Sequence, residues 1–211
     1  MEPPFDHYVF IEMDERRLAE LRNLETENKG RRNIAIRAGD CNEYLSTRLL
    51  KTFSSDRLWR GVVFLDPFGM HVPWSTIELL AKTEHIEVFL NFPVGMAIQR
   101  LLPRNGRFTA KQRAKLDDYF GDPGWYDQVY VVEQGLFEEE LRKRDDAAER
   151  LVTWFRGRLK TAFGFVSTAR LITNSQGGHL YYLIFAGPNA TGAKIASHVL
   201  GPARPKPPAR R

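Results

Sequence analysis

The sequence has 211 residues, of which 43% are hydrophobic and 12% aromatic, so it is long enough to build a well-packed core. It contains no run of about 18 apolar residues, which excludes a membrane-spanning helix. Its first residues lack the basic and apolar regions of a signal peptide. The single cysteine excludes an internal disulfide framework and a cysteine-based zinc cluster. Together these features predict a cytoplasmic protein.

The net charge of +5 is concentrated at the C-terminus. Residues 201–211 contain four basic side chains and no acidic one, so the first 200 residues carry a net charge of only +1. Because this segment is also rich in proline, we expect it to be an extended, disordered tail. A basic tail of this kind either helps to bind nucleic acid or is simply a solvated chain end, and the sequence leaves both interpretations open.

Short apolar strands alternate with amphipathic helices over the first 93 residues. The predicted strands are 8–13, 33–37, 62–65 and 87–92, and the predicted helices are 15–27, 42–53 and one that begins near Ser75, a candidate N-cap. Because short links join these elements, their order implies a parallel sheet with right-handed crossovers. The continuous apolar run 62–65 predicts a strand that is buried on both faces of the sheet.

The second half of the chain has a different pattern. Residues 94–164 are predicted to be a helical insertion, which includes a long charged helix from Leu136 to Phe163. Two apolar segments flank the turn residues 174–178 and predict a C-terminal β-hairpin, followed by a helix over 191–200. We therefore expect one α/β domain over residues 1–200 and the basic tail after it.

Acidic residues follow three of the predicted strands. Glu12 and Asp14 come at the end of the first strand, Asp40 follows the second, and Asp66 follows the third. Because parallel strands end at the same edge of a sheet, these carboxylates predict one crevice in which a nucleoside is bound. The competing interpretation is that each acid only caps the helix that follows it.

The third strand leads into Asp66, Pro67 and Phe68, which place an acid, a rigid proline and an aromatic ring at the end of a strand. Ligands of open α/β sheets bind outside such strand ends. We interpret these three residues as the substrate end of the site. The sequence shows no metal-ligand spacing, so no metal site is predicted.

The motifs resemble those of class I S-adenosylmethionine-dependent methyltransferases. The resemblance is carried by Phe10 to Leu18, by Gly39-Asp-Cys41 and by Phe64-Leu-Asp-Pro-Phe-Gly69. More narrowly, the chain resembles the three-Cys-motif partner protein (TcmP) family in Asp66 to Gly69, Pro73-Trp74, Asn91-Phe-Pro93, Gly164-Phe-Val166 and Tyr181 to Ala186. This resemblance covers about residues 8–200. It implies a Rossmann-like methyltransferase sheet that is mostly parallel, with a C-terminal antiparallel β-hairpin.

The resemblance also implies a cofactor, S-adenosylmethionine, and a role for each residue that binds it. Glu12 would hold the ribose, with Asp14 in the same loop. Asp40 would accept a hydrogen bond from the adenine amine, and the backbone N–H of Cys41 would donate one to the ring.

The same resemblance assigns catalysis to Asp66, Pro67 and Phe68, which would hold a nitrogen or oxygen of a nucleic acid or protein for methylation. The family name further implies a three-Cys-motif protein as partner.

The sequence departs from the methyltransferase pattern in two places. Gly69 stands where a stacking aromatic ring is expected, and no glycine-rich loop for the methionine end of the cofactor is found. The first readable strand matches the second strand of the fold, so we expect a chain that begins downstream of its natural start. The alternative is a degenerate relative that no longer holds the cofactor. The alternative function is that of a catalytically silent, methyltransferase-like module that docks a partner protein or DNA.

Overall fold

A computed structural model describes residues 5–49, 51–52, 59–66, 69–134 and 139–201. The chain divides into two compact units, Met1–Asp56 and Arg57–Arg211. Both contain strands and helices, which confirms the predicted α/β class. The basic tail from residue 202 onward lies outside the described residues. Within the described ranges, no helix combines the length and the apolar character that crossing a bilayer requires.

The first unit is built around a pair of parallel strands. Strand β1 (Tyr8–Glu12) pairs with β2 (Ile34–Ala38) in a register that runs from Tyr8 opposite Ile34 to Glu12 opposite Ala38. Helix α1 (Glu15–Glu27) connects the two strands. After β2, helix α2 (Cys41–Tyr44) continues into a π-helical turn, Leu45–Leu49. The two predicted strands of this unit and its first helix are therefore confirmed. Each observed end lies no more than one residue from the predicted end.

The second unit contains the remaining elements. It begins with β3 (Gly61–Leu65), α3 (Trp74–Ala81), β4 (Ile86–Phe92), a π-helical turn (Val94–Ile98) and α4 (Gln99–Leu101). The middle part consists of α5 (Ala110–Phe120), α6 (Trp125–Val129), β5 (Tyr130–Gln134), β6 (Glu139–Lys143) and α7 (Ala147–Phe163). It ends with β7 (Phe165–Val166), β8 (Arg170–Thr173), β9 (His179–Gly187) and α8 (Ala190–Leu200).

Two predictions for the helices of this unit are wrong. The helix predicted from Leu136 is a strand over Glu139–Lys143, because this segment pairs antiparallel with β5, and the helix begins only at Ala147. The insertion is thus not purely helical. Ser75 is not an N-cap either, since α3 already starts at Trp74 and Pro73 occupies the capping position.

The main sheet of the second unit has the strand order β3-β4-β9-β7. Strand β3 runs parallel to β4, whereas β9 runs antiparallel to β4, with Phe89 opposite Phe185. The other edge of β9 pairs with β7 and with β8, so the predicted C-terminal hairpin is confirmed. Its turn is closed by Asn174, whose N–H donates to the carbonyl oxygen of Gly178.

One face of this sheet carries the core. Phe92 is fully buried and its ring centroid lies 4.8 Å from that of Phe155 on α7. Tyr119 and Phe120 of α5 are also buried and pack against Phe92. The strand and helices of the inserted region are therefore held together by an aromatic cluster, which supplies a large apolar area for burial.

The opposite face is only half covered. Helix α8 packs against the β9 part of it, where Phe185 is 2% exposed, but Val62 and Phe64 of β3 remain 40% and 59% exposed. The prediction that residues 62–65 are buried on both faces is therefore wrong. Among the described strands β3 pairs only with β4, and α8 does not reach over it, so one face stays open.

Replacing Phe92 by alanine tests the aromatic cluster. We expect Phe92→Ala to lower the free energy of unfolding by about 3–5 kcal/mol, because a fully buried ring leaves a cavity behind. The measurement is urea denaturation followed by tryptophan fluorescence. The matched control is Phe165→Ala, whose side chain is 42% exposed and which should cost about 1 kcal/mol. Equal losses for the two variants would contradict this assignment of the core.

Candidate functional site

The four residues predicted to bind the cofactor lie together at the carboxyl end of the β1–β2 pair. Glu12 is the last residue of β1. Asp40 and Cys41 follow Ala38, the last residue of β2, by two and three positions. The N–H of Gly39 donates to the carbonyl oxygen of Glu12 at 3.0 Å, which fixes the second loop beside the first. Parallel pairing thus produces the grouping predicted from the sequence for this unit.

Glu12 is held by its own loop. Its Oε1 accepts hydrogen bonds from the N–H groups of Met13 at 2.8 Å and Asp14 at 2.9 Å, and its Oε2 lies 3.6 Å from the guanidinium of Arg17. The Asp14 N–H most of all, and then the Met13 N–H and Arg17, lower the pKa of the carboxyl below its ordinary value. Glu12 is therefore an ionised acceptor, and its Oε2 is the atom still open to further donors.

Asp14 and Asp40 cap helices. Oδ1 of Asp14 accepts from the N–H groups of Arg16 and Arg17 at 3.0 and 3.1 Å. Oδ1 of Asp40 accepts from Asn42 and Glu43 at 2.7 and 3.1 Å. Both residues are therefore N-caps of the helices that follow them. Because capping occupies only Oδ1, the second oxygen of each carboxylate can still accept a hydrogen bond from a ligand.

Cys41 is the first residue of α2 and is partly buried. Burial raises the pKa of its thiol, and the negative charges of Asp40 and Glu12 raise it further. The thiol therefore stays protonated near neutral pH, which disfavours a nucleophilic role.

An open surface pocket of about 500 Å³ lies next to this group. Asp40 lines it together with Ile11, Arg37, Tyr44 and Arg48, whereas Glu12, Asp14 and Cys41 do not. Its lining thus combines an aromatic ring and two guanidinium groups with the carboxylates of Asp40 and Glu43. Such a lining suits a planar heterocycle that carries an amino group.

The substrate end belongs to the second unit. Asp66 follows β3 directly and is exposed, and its Oδ1 accepts a hydrogen bond from Nδ2 of Asn91 at the end of β4. Pro67 and Phe68 lie outside the described residues. Of the three predicted catalytic residues, only Asp66 therefore lies in the described part of the chain.

Asn91 is a residue of this region to which sequence reasoning gave no role. Its side chain is 4% exposed, and its Oδ1 has no hydrogen-bond partner among the described residues. The amide cannot be turned around, because that would bring its oxygen against the carboxylate. The available signal was a single amide, two residues before Pro93, in the otherwise mainly apolar strand Ile86–Phe92.

Comparison of the chain with family models, curated proteins and solved structures finds no match. Among the described residues, no three His, Cys, Asp or Glu side chains are grouped as metal ligands would be. The interpretation of the site therefore depends on its geometry and on the motifs of the sequence.

Alkylation of Cys41 tests the grouping of the carboxylates. Because it is the only cysteine, the rate of reaction with iodoacetamide reports on this thiol alone. We expect the rate to rise at a higher pH than for a free thiol, since the pKa of Cys41 is raised. Asp40→Asn keeps an N-cap acceptor but removes a charge, so the midpoint should shift to lower pH.

The control for this measurement is Glu43→Gln. It removes the same charge from an exposed position of α2 that does not contribute to the raised pKa of Cys41. We expect its midpoint to match that of the unmodified chain. A midpoint that Asp40→Asn leaves unchanged would show that the carboxylate and the thiol are not close.

Proposed function

We propose that the protein is an S-adenosylmethionine-dependent, methyltransferase-like protein whose first unit binds the nucleoside part of the cofactor. The observation that carries the proposal is the grouping of Glu12, Asp40 and Cys41 at one end of two parallel strands. Acids in these positions suit the hydroxyls and the amine of an adenosine. The motif resemblance assigns them the same roles.

The atoms that remain open fit this ligand. Oε2 of Glu12 has only a 3.6 Å contact with Arg17, whose side chain is 49% exposed, so ribose hydroxyls have an acceptor there. The second oxygen of Asp40 has acceptor capacity for the adenine amine. The N–H of Cys41 lies in the first turn of α2, where amides lack an intrahelical partner. Asp14 holds the loop by capping α1.

The strand directions support a Rossmann-like methyltransferase sheet as the fold. Strand β1 is parallel to β2 and β3 is parallel to β4, while β9 of the C-terminal hairpin is antiparallel to β4. These are the directions that the resemblance implies, observed in each unit by itself. The sequence has no glycine-rich loop, so the proposal for this chain concerns the nucleoside part of the cofactor.

The proposed reaction is methyl transfer to a nitrogen or oxygen of a nucleic acid or protein. When bound, S-adenosylmethionine supplies an already activated methyl group, so the chain has to orient the acceptor and exclude water. Asp66 would accept the acceptor's N–H or O–H, and Asn91 fixes the carboxylate of Asp66 through its Nδ2. Pro67 and Phe68 complete this end by resemblance.

The second candidate is a catalytically silent module that docks a partner, such as a three-Cys-motif protein or DNA. The exposed Val62 and Phe64 favour it, because apolar side chains on an open sheet face are typical of an interaction surface. The two candidates differ in whether the nucleoside site binds a ligand.

Titration with S-adenosylhomocysteine and with adenosine tests the proposal, by calorimetry and by amide shifts in ¹⁵N NMR spectra. We expect the shifted amides to cluster at residues 12–14 and 39–42. Glu12→Gln should weaken binding about tenfold, since a neutral amide is a poorer acceptor than a carboxylate. Glu12→Ala should abolish binding.

The matched control is Glu20→Ala, which removes an exposed acid of α1 away from the strand ends and should bind normally. Circular dichroism establishes that each variant is folded. If neither ligand shifts any amide of the two loops, the methyltransferase proposal fails and the docking module is favoured.

A further inference from the structure

Positive charge is concentrated in the segment that begins inside β4 and ends in α5. Residues 88–116 contain six basic side chains and no acidic one. The first 200 residues together carry a net charge of only +1, so the rest of them is net negative. The charge is therefore segregated along the chain, and clustered cations of this kind attract polyanions. The six basic residues are Arg100, Arg104, Arg107, Lys111, Arg113 and Lys115.

Five of these six cations are exposed and form no ion pair within the described ranges. The exception is Arg113, whose Nε lies 3.2 Å from the carboxylate of Asp117. The positive charge of the other five is thus available to a ligand. We call them the basic surface, which consists of Arg100, Arg104, Arg107, Lys111 and Lys115.

The basic surface is compact because its residues follow one another closely. They recur at intervals of three or four positions, and four residues span no more than about 14 Å even when fully extended. Lys111 and Lys115 are four residues apart on α5 and so lie on one side of that helix. The loop before α5 is fixed to its surroundings, since Oη of Tyr130 donates to the carbonyl oxygen of Pro103 at 2.7 Å.

Neighbouring groups add to the positive charge. Nζ of Lys143, at the end of β6, donates to the carbonyl oxygen of Leu102 at 3.3 Å. Burial, and then the like charge of Arg104, lower the pKa of Lys143. Helix α5 begins within the basic surface and has no acid in its first turn, where the helix dipole is positive. Several elements that pack together therefore contribute to one positive region.

The basic surface begins beside the substrate end of the same unit. Gly69, three residues after Asp66, packs against the π-helical turn, since a Cβ added there would lie 3.6 Å from Cβ of Ala97. Arg100 follows Ala97 by three residues, which is a rise of about 4.5 Å in a helix. The partner of Asp66, Asn91, lies on the strand that leads into this turn. One strand of a polymer bound to the basic surface therefore reaches Asp66.

We propose that the basic surface binds the phosphate backbone of a nucleic acid, and that a nitrogen or oxygen of that nucleic acid is the methyl acceptor at Asp66. The inference rests on the proposed function and selects nucleic acid over protein as its substrate class. Guanidinium and ammonium groups bind phosphates through charge-assisted hydrogen bonds. A nucleic-acid strand offers one phosphate for every nucleotide, which matches a row of closely spaced cations.

The salt dependence of DNA binding tests the basic surface. The probe is a fluorescein-labelled single-stranded DNA of about 20 nucleotides, and its anisotropy is measured at several salt concentrations. Arg104→Gln combined with Lys111→Gln should reduce the slope of log K against log salt by about 1.4, because each lost phosphate contact removes about 0.7. The matched control is Lys82→Gln combined with Lys194→Gln, which removes two exposed cations outside residues 88–116 and should keep the original slope.

Amide shifts in ¹⁵N NMR spectra locate the bound DNA. The same probe should shift the backbone amides of residues 100–115 and also the side-chain amide of Asn91, which donates to Asp66. All four substituted side chains are exposed, and circular dichroism establishes that the variants fold.

Three results would overturn the proposal. Equal slopes in the two double variants would place the DNA contact elsewhere, for example on the basic tail. An unchanged side-chain amide of Asn91 would refute nucleic acid as the acceptor. Binding to phosphatidylserine vesicles without binding to DNA would assign the surface to a membrane. Failure of adenosine and S-adenosylhomocysteine to bind the first unit would instead refute the proposed function and leave DNA binding intact, so the two failures are distinguishable.

Discussion

Parallel pairing of neighbouring strands is the constraint on which the candidate residues of each unit depend. In the first unit it brings Glu12 and the Asp40 loop to one end of the β1–β2 pair, where a single backbone hydrogen bond from Gly39 joins them. In the second unit the same relation between β3 and β4 places Asp66 within hydrogen-bond reach of Asn91. Residues that are 25 to 28 positions apart in sequence become neighbours because strands of the same direction end together.

Capping and ligand binding make the same demand on a side chain, which is why the sequence could not separate them. An aspartate that follows a strand satisfies the first amides of the next helix with one oxygen and is worth about 0.5–2 kcal/mol there. Asp14 and Asp40 do this with Oδ1 alone. The second oxygen then lies at a fixed position without further cost in side-chain entropy. Capping through Oδ1 therefore does not exclude that the second oxygen of either acid accepts a hydrogen bond from a ligand.

Much of the fold is predictable because the signals are local. The periodicity of Leu18, Leu21 and Leu24 defines α1, and the turn after Thr173 defines the hairpin of β8 and β9. The errors arise where a distant partner decides. Glu139–Lys143 has helix-forming residues but becomes a strand because β5 pairs with it. The exposure of Phe64 depends on which elements cover β3, and the role of Asn91 depends on Asp66, so neither is visible in a single segment.

The two faces of the second unit's sheet differ in how much apolar side chain they bury. Asp66 lies on the face that buries less. Burying a phenylalanine side chain is worth about 1.5–3 kcal/mol, a gain realised at Phe92 and largely unrealised at Phe64. Side chains alternate along strands, so Asp66 continues the row of Val62 and Phe64, and Asn91 continues that of Phe89. Any side chain that covered Phe64 would gain this free energy and would lie beside Asp66, because both residues are on one face of β3.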